Sequence, residues 1–118
     1  MARLSTHILD TCHGGPAAGV HIQLFRLHPD GTRTPLTERV SNADGRTDQP
    51  LLSGAEMAAG RYELVFHIGD YFAGRDATLA EPAFLTDVPV RFTISDPTGH
   101  YHIPLLATPW SYSTYRGS

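Results

Sequence analysis

The stretch Val88-Pro89-Val90-Arg91-Phe92-Thr93-Ile94-Ser95 alternates apolar and polar residues with a period of two. Side chains at every second position of an extended strand point to the same face. One face of this strand is therefore apolar and predicted to be buried, and it consists of Val88, Val90, Phe92 and Ile94. Pro89 has no N–H to donate to a neighbour, which predicts an edge strand or the start of a strand.

Alternation of this kind recurs along most of the chain. The other predicted strands are Arg3–Leu9, Val20–Leu27, Thr34–Val40, Arg61–Ile68, a strand that contains His100–Ile103 and a strand-like stretch after it. Turn-forming sequences such as His28-Pro29-Asp30-Gly31 separate them. Between Gly69 and Asp76 the sequence suits a helix of at most two turns, and Gly54–Ala59 suits one turn. Seven or eight short, regularly spaced strands predict an all-β antiparallel sandwich.

Length, charge and cysteine content limit the classes of protein to consider. With 118 residues and 41% hydrophobic content, the chain is expected to fold as one domain over residues 1–118. A formal net charge of −3 with scattered arginines predicts no binding to nucleic acid or to an anionic membrane surface. The single Cys12 cannot form an internal disulfide, and no apolar run has the length of a membrane span. We therefore expect a cytoplasmic protein.

Two histidines, His100 and His102, lie one residue apart in a predicted strand. Alternate positions of a strand share a face at a spacing of roughly 7 Å, so both imidazoles point the same way. The spacing alone leaves two interpretations open. The pair is either a set of solvated surface side chains or one wall of an active site.

Other candidates for chemistry can also be read as ordinary structural residues. His7, in the first strand, fits either a core histidine or a partner of His100 and His102. Three histidines could hold a metal ion, but no carboxylate or Cys stands at ligand spacing beside them. Arg46 directly follows a turn, where it is either a charged surface residue or a guanidinium that binds an anion or a developing oxyanion.

The remaining histidines lie beside turns or on polar strand faces. They are His13, His21, His28 and His67, and all four are predicted to be solvated surface residues. Cys12 and His13 are adjacent, and neighbours on an extended chain point to opposite faces. They are therefore not expected to act as nucleophile and base.

Five segments carry a resemblance to a known family. They are Ser5–Thr11, Asp44–Thr47, Gly69–Phe72, His100–Leu106 and Tyr115–Ser118. Together they resemble the 5-hydroxyisourate hydrolase family, the transthyretin-like proteins of purine catabolism. The resemblance covers essentially the whole chain, and the His-Tyr-His strand with the terminal Tyr-Arg-Gly-Ser is its most specific part.

The resemblance implies an architecture and a set of site residues. It implies a transthyretin-like sandwich of two four-stranded sheets with one short helix, assembled as a homotetramer with active sites at the dimer–dimer interface. The family's catalytic positions fall on His7, Arg46, His102 and Ser118. His100 and Tyr115 would also contact substrate. Neither a metal nor another cofactor is implied.

The activity that the resemblance implies is the opening of 5-hydroxyisourate by water to give 2-oxo-4-hydroxy-4-carboxy-5-ureidoimidazoline, a step of urate breakdown. His7 or His102 would be the general base, and the sequence does not decide between them. Arg46 would stabilise the oxyanion. The alternatives are a transthyretin-like carrier of small aromatic ligands and, behind it, a histidine-based metal-binding protein.

Overall fold

The structure is a computed structural model that describes residues 2–75 and 82–117. Its strands are β1 (Arg3–Asp10), β2 (Gly15–Pro16), β3 (His21–Leu27), β4 (Arg33–Val40), β5 (Leu52–Ser53), β6 (Gly60–Phe66), β7 (Val88–Ile94), β8 (His100–Ala107) and β9 (Tyr112–Thr114). One α-helix, α1 (Ile68–Arg75), follows β6, and a short 3₁₀ helix (Gly54–Glu56) follows β5. In this part of the chain we find no helix with the length and apolar character needed to span a lipid bilayer.

The strands form two sheets. The first has the order β2-β1-β8-β9, with the short β5 also paired to β1, and the second has the order β4-β3-β6-β7. The predicted sandwich with one short helix is therefore confirmed, and the first sheet has a short fifth strand. The pair β1 and β8 is parallel, whereas the other strand pairs among the described residues are antiparallel. These two strands lie almost at opposite ends of the sequence, so no hairpin turn dictates their relative direction.

The core lies between the sheets and follows the period-two pattern. Leu4 and Ile8 of β1 are fully buried, as are Leu64 and Phe66 of β6 and Leu105 of β8. In β7 the two ends of the apolar face, Val88 and Ile94, are fully buried. β7 is an edge strand, as Pro89 predicted.

The helix lies close to its predicted place. It spans Ile68–Arg75, and Asp76, the last residue of the prediction, lies outside the described residues. Ile68, predicted as the end of a strand, is the first residue of α1 instead, and it stays buried. Tyr71 and Phe72 add their side chains to the same core, which fixes α1 against the sandwich.

Candidate active site

The outer face of the first sheet brings three predicted site residues together. In the parallel pair, Arg3 lies opposite His100, Ser5 opposite His102 and His7 opposite Pro104. The alternate residues of both strands, such as Leu4 and Tyr101, are buried on the inner face. The residues of the first set are exposed or half-buried outside, apart from Pro104. His7 is therefore not a core histidine.

The imidazole of His102 is held by a neighbouring strand. Its Nδ1 lies 2.9 Å from the Oγ of Ser5, and the two groups are partly buried. When the hydroxyl accepts this hydrogen bond, Nε2 carries the free lone pair and can act as a base. The register between β1 and β8 is what places Ser5 there.

Arg46 reaches the site from a turn that is docked on β1. The backbone N–H of Ile8 donates to the carbonyl of Gly45 at 2.8 Å. Within the turn, the N–H of Asn42 donates to the carbonyl of Arg46 at 2.7 Å, and the side-chain oxygen of Asn42 accepts from the N–H of Arg46 at 3.1 Å. The turn is thus tied both to itself and to the strand that carries His7.

Strands β1 and β8 and the turn that carries Arg46 form an open cleft of about 460 Å³. It is lined by Arg3, Ser5, Arg46, His100, Tyr101 and His102. A second cleft, of about 260 Å³, shares Arg3, Ser5 and Arg46 with the first. Three predicted site residues, Arg46, His100 and His102, therefore line one cleft, with His7 two residues from Ser5 on the same strand face.

The cleft changes the acid–base behaviour of His102. Burial lowers the pKa of this imidazole, and the positive charges of Arg46, His7 and Arg3 lower it further. Both effects disfavour the imidazolium ion, because it loses hydration on burial and is repelled by like charges. The lowered pKa favours the neutral imidazole, which is the form that a general base needs.

The segment after β9 runs back along β8 toward the cleft. Gly117 forms an antiparallel bridge with His102, and its N–H donates to the His102 carbonyl at 2.7 Å. Tyr115, predicted to contact substrate, is 61% exposed and does not line the cleft of a single chain. Ser118, a predicted catalytic residue, lies outside the described residues.

Three residues of the cleft, Arg3, Ser5 and Tyr101, were not predicted from the sequence as site residues. Among the described residues, neither Arg3 nor Arg46 makes a side-chain hydrogen bond or an ion pair that would neutralise it. The only signal for Arg3 and Ser5 was their position on the same strand face as His7. The contact of Ser5 with His102 and the position of Arg3 opposite His100 depend on strand pairing, which local sequence does not report.

The histidines predicted to be solvated differ from one another. His13 is exposed, and its Nδ1 lies 2.6 Å from Asp10. The prediction for His67 is wrong. Its side chain is 19% exposed, and its ring stacks on the ring of His21. Its Nδ1 lies 2.8 Å from a carboxylate oxygen of Asp87, and its Nε2 lies 2.8 Å from the side-chain oxygen of Gln23. Hydrogen-bond acceptors on neighbouring segments therefore hold an imidazole that the local sequence pattern predicted to be solvated.

A group of metal-ligand type lies at the other end of β1. Asp10, Cys12 and His13 place one potential ligand atom each within 4.8 Å of the others. Cys12 and His13 lie in a turn rather than on an extended chain, which is why the expectation that they point apart is wrong. The Asp10 carboxylate already accepts hydrogen bonds from the N–H groups of Cys12 and His13 and from the Tyr71 hydroxyl. It also lies 2.6 Å from Nδ1 of the His13 ring. Its lone pairs are thus engaged in holding the turn.

The sequence over residues 4–117 matches the HIUase/Transthyretin family. The chain belongs to this family. Among its relatives, the 5-hydroxyisourate hydrolase of Deinococcus radiodurans is 59% identical over 98% of this chain and 95% of that protein. The solved structure of Klebsiella pneumoniae 5-hydroxyisourate hydrolase is 38% identical with a TM-score of 0.81, and the match covers 100% of both chains. A transthyretin from Sparus aurata is 28% identical with a TM-score of 0.85, over 98% of this chain and 96% of that one. The HIUase/Transthyretin fold thus matches the sandwich described above.

Proposed function

We propose that this chain is a 5-hydroxyisourate hydrolase. It opens the ring amide of 5-hydroxyisourate with water to give 2-oxo-4-hydroxy-4-carboxy-5-ureidoimidazoline, in the breakdown of urate. The observation that carries the proposal is that His102, held by Ser5, and Arg46 line one cleft, in a chain 59% identical to a relative of that name. A transthyretin-like carrier of small aromatic ligands would have no need of two imidazoles and an arginine in its cleft.

The reaction needs a base for water and a stabiliser for the oxyanion. We assign the base to His102, because its pKa is lowered by burial and by Arg46 and because Ser5 holds its ring. The water oxygen bonds to the carbonyl carbon while its proton passes to the imidazole. Arg46 stabilises the negative charge that forms on the carbonyl oxygen.

The second half of the reaction returns the proton. The C–N bond of the tetrahedral intermediate breaks, and the leaving nitrogen takes the proton from His102. The product carboxylic acid then ionises at neutral pH. We propose that His7, His100, Tyr115 and Ser118 bind substrate, and that His7 and Ser118 also orient the attacking water. No step of this scheme uses a metal or another cofactor.

We propose that the active assembly is a homotetramer with sites at the dimer–dimer interface. Three large aromatic side chains, Trp110, Tyr112 and Tyr115, are 61%, 44% and 61% exposed on or beside β9, an edge strand. Exposed edges and aromatic patches are typical of surfaces that pair with another copy. A second copy would also close the open cleft. Sedimentation velocity tests this, since a monomer at assay concentration would contradict it.

We further propose a cytoplasmic location, supported by a single, exposed Cys12 that forms no disulfide within the chain. Fractionation of cells that produce the protein, followed by an activity assay of each fraction, tests this. Activity concentrated in an extracytoplasmic fraction would contradict it.

The decisive experiment measures the decay of 5-hydroxyisourate. Urate oxidase generates the compound in situ, and its ultraviolet absorbance is followed with and without this protein. We expect a marked acceleration that survives treatment with EDTA. No acceleration would exclude the proposed activity, and loss with EDTA would favour the metal-based alternative.

A pair of variants then tests the assigned base. His102→Ala should lower kcat by about 10²–10⁴-fold, the range that general bases contribute. His28→Ala is the matched control, because His28 lies at the end of the second sheet's β3–β4 hairpin and bonds to Thr34. Equal activity of the two variants would contradict the role of His102.

A further inference from the structure

The segment that follows β9 makes a close contact with His102 that the proposed function does not use. Beyond β9, the chain stays beside β8 until Gly117, which donates its N–H to the His102 carbonyl at 2.7 Å. Arg116 anchors the same segment one residue earlier. Its Nη2 donates to the His100 carbonyl at 3.1 Å, and its guanidinium stacks 4.2 Å from the centre of the Tyr101 ring.

Position 117 has no room for a side chain. A Cβ built on Gly117 would lie 2.6 Å from Cδ2, 3.3 Å from Cγ and 3.4 Å from Cβ of His102. The first distance is far inside the contact distance of two carbon atoms. Gly117 is not among the glycines with a positive φ. Glycine is therefore required here because a side chain has no room. The backbone conformation does not require it, since that conformation suits any residue.

The imidazole is thus held between strand β1 and the segment that follows β9. On one side of β8, the Ser5 hydroxyl of β1 lies 2.9 Å from Nδ1. On the other side, the Gly117 backbone packs against the Cδ2 edge of the ring. A methyl group at 117 would push the ring by about 1 Å toward Ser5. Because Nδ1 is already at hydrogen-bond distance from that hydroxyl, the ring would have to tilt out of its plane, and the hydrogen bond would lose its geometry.

We propose that Gly117 is a positioning residue for His102, which sets the plane of the imidazole by packing against it opposite Ser5. The role rests on the proposed function, in which His102 is the base. A catalytic group that is misplaced by about 1 Å loses about 10²-fold in rate. The segment around Gly117 therefore acts on the reaction through the ring it packs against, independently of any contact that Ser118 makes.

The test is Gly117→Ala in the full-length protein. We expect kcat to fall about 10²-fold with a smaller change in KM, because the base is displaced while Arg46 still binds substrate. We also expect the pKa of His102 to rise, because a displaced ring regains contact with water. The NMR titration of the His102 ring measures this in the free protein. That readout needs no turnover, so it stands even if the protein proves not to hydrolyse 5-hydroxyisourate.

Gly15→Ala is the matched control, because a Cβ at Gly15 meets nothing within 4 Å and its φ is not positive. It should leave both the rate and the titration of His102 unchanged. Unchanged kcat and an unchanged His102 titration in Gly117→Ala would overturn the proposal. A loss in Gly117→Ala that matches the loss in Gly15→Ala would overturn it too.

Two double variants separate packing against the His102 ring from a displacement of Ser118. If Gly117 and Ser5 hold the same ring, Ser5→Ala should lower kcat much less in the Gly117→Ala protein than in the parent. Additive losses of kcat would show that Ser5 and Gly117 do not hold the same ring. If Gly117→Ala acted only by moving its neighbour, its effect would vanish in a Ser118→Ala background. We expect the effect to persist there.

Discussion

The hydroxyl of Tyr71, on α1, donates a hydrogen bond of 2.7 Å to the carboxylate of Asp10, at the end of β1. Asp10 is 1% exposed, and it also accepts from the N–H groups of Cys12 and His13. Burial acts to raise the pKa of Asp10, but these hydrogen bonds outweigh it and the pKa is lowered. Burial and Asp10 together raise the pKa of Tyr71 to about 12. The contact ties the helix to the strand that carries His7.

Tyr71→Phe should destabilise the fold by about 1–3 kcal/mol, because it leaves a buried carboxylate without one of its donors. Urea denaturation at pH 7 measures the loss. Thr32→Val is the control, since the Thr32 hydroxyl also donates to a carboxylate, that of Asp30, at 2.6 Å, but both residues are exposed and little stability should be lost. Equal midpoints for the two variants would show that the Tyr71–Asp10 bond contributes nothing to stability.

The same contact predicts how stability depends on pH. The folded-state pKa of Asp10 lies below its ordinary value of 3.8. Its contribution is therefore fully present above about pH 3.8 and is lost as pH falls through the lower folded pKa. We expect the gap between parent and Tyr71→Phe to be widest near neutral pH and to narrow in acid. Unfolding free energies from pH 7 to pH 2.5 test this, and a constant gap would contradict it.

Gly45 is predicted to set the position of Arg46. Its φ is +75°, and a Cβ there would overlap the carbonyl oxygen of Ile8. Gly45→Ala should therefore cost more stability than backbone strain alone and should lower activity by moving Arg46. Gly31→Ala is the matched control, because φ is +89° there but nothing lies within 4 Å of the added Cβ. It isolates the strain, about 1 kcal/mol, and should leave kcat/KM unchanged.

Thermal unfolding and the 5-hydroxyisourate assay on both variants test whether Gly45 sets the position of Arg46. A Gly45→Ala protein no less stable than Gly31→Ala, with full activity, would mean that the turn can shift away from β1 without moving the guanidinium.

The strands could be read from sequence because burial on one face leaves a local record. The alternation of Val88–Ser95 reports which side chains face the core, and Pro89 reports an edge, without any knowledge of the partner strands. His67 shows the limit of this reasoning. Its pattern placed it in solvent, yet Asp87 and Gln23, far from it in sequence, bind its ring.

The site was predictable only in part for the same reason. His100 and His102 were paired by local spacing, and His7 and Arg46 were candidates to which the resemblance gave catalytic roles. The parallel register that sets Ser5 against His102, and Arg3 opposite His100, joins segments almost 100 residues apart in sequence. No periodicity encodes such a pairing, so Arg3, Ser5 and the packing of Gly117 emerged only from the structure.

Arg3 provides a direct test of the electrostatics of the cleft. Burial, Arg46, His7 and Arg3 all lower the pKa of His102, in that order of effect. Removing a positive charge favours the imidazolium ion, so Arg3→Gln should raise this pKa and Arg46→Gln should raise it more. In Arg3→Gln the acid limb of the kcat/KM profile should move to higher pH, because the base is protonated at a higher pH. Added salt should have the same effect on the parent, since it screens the arginines.

Arg61→Gln removes the same charge from an exposed site on β6, in the other sheet, and should leave the His102 titration where it is. NMR titration of the His102 ring in the parent and the three variants measures all of these shifts. If Arg3→Gln and Arg61→Gln gave the same His102 pKa, Arg3 would have no specific influence on the base. Its place on the wall of the cleft would then be a matter of shape alone.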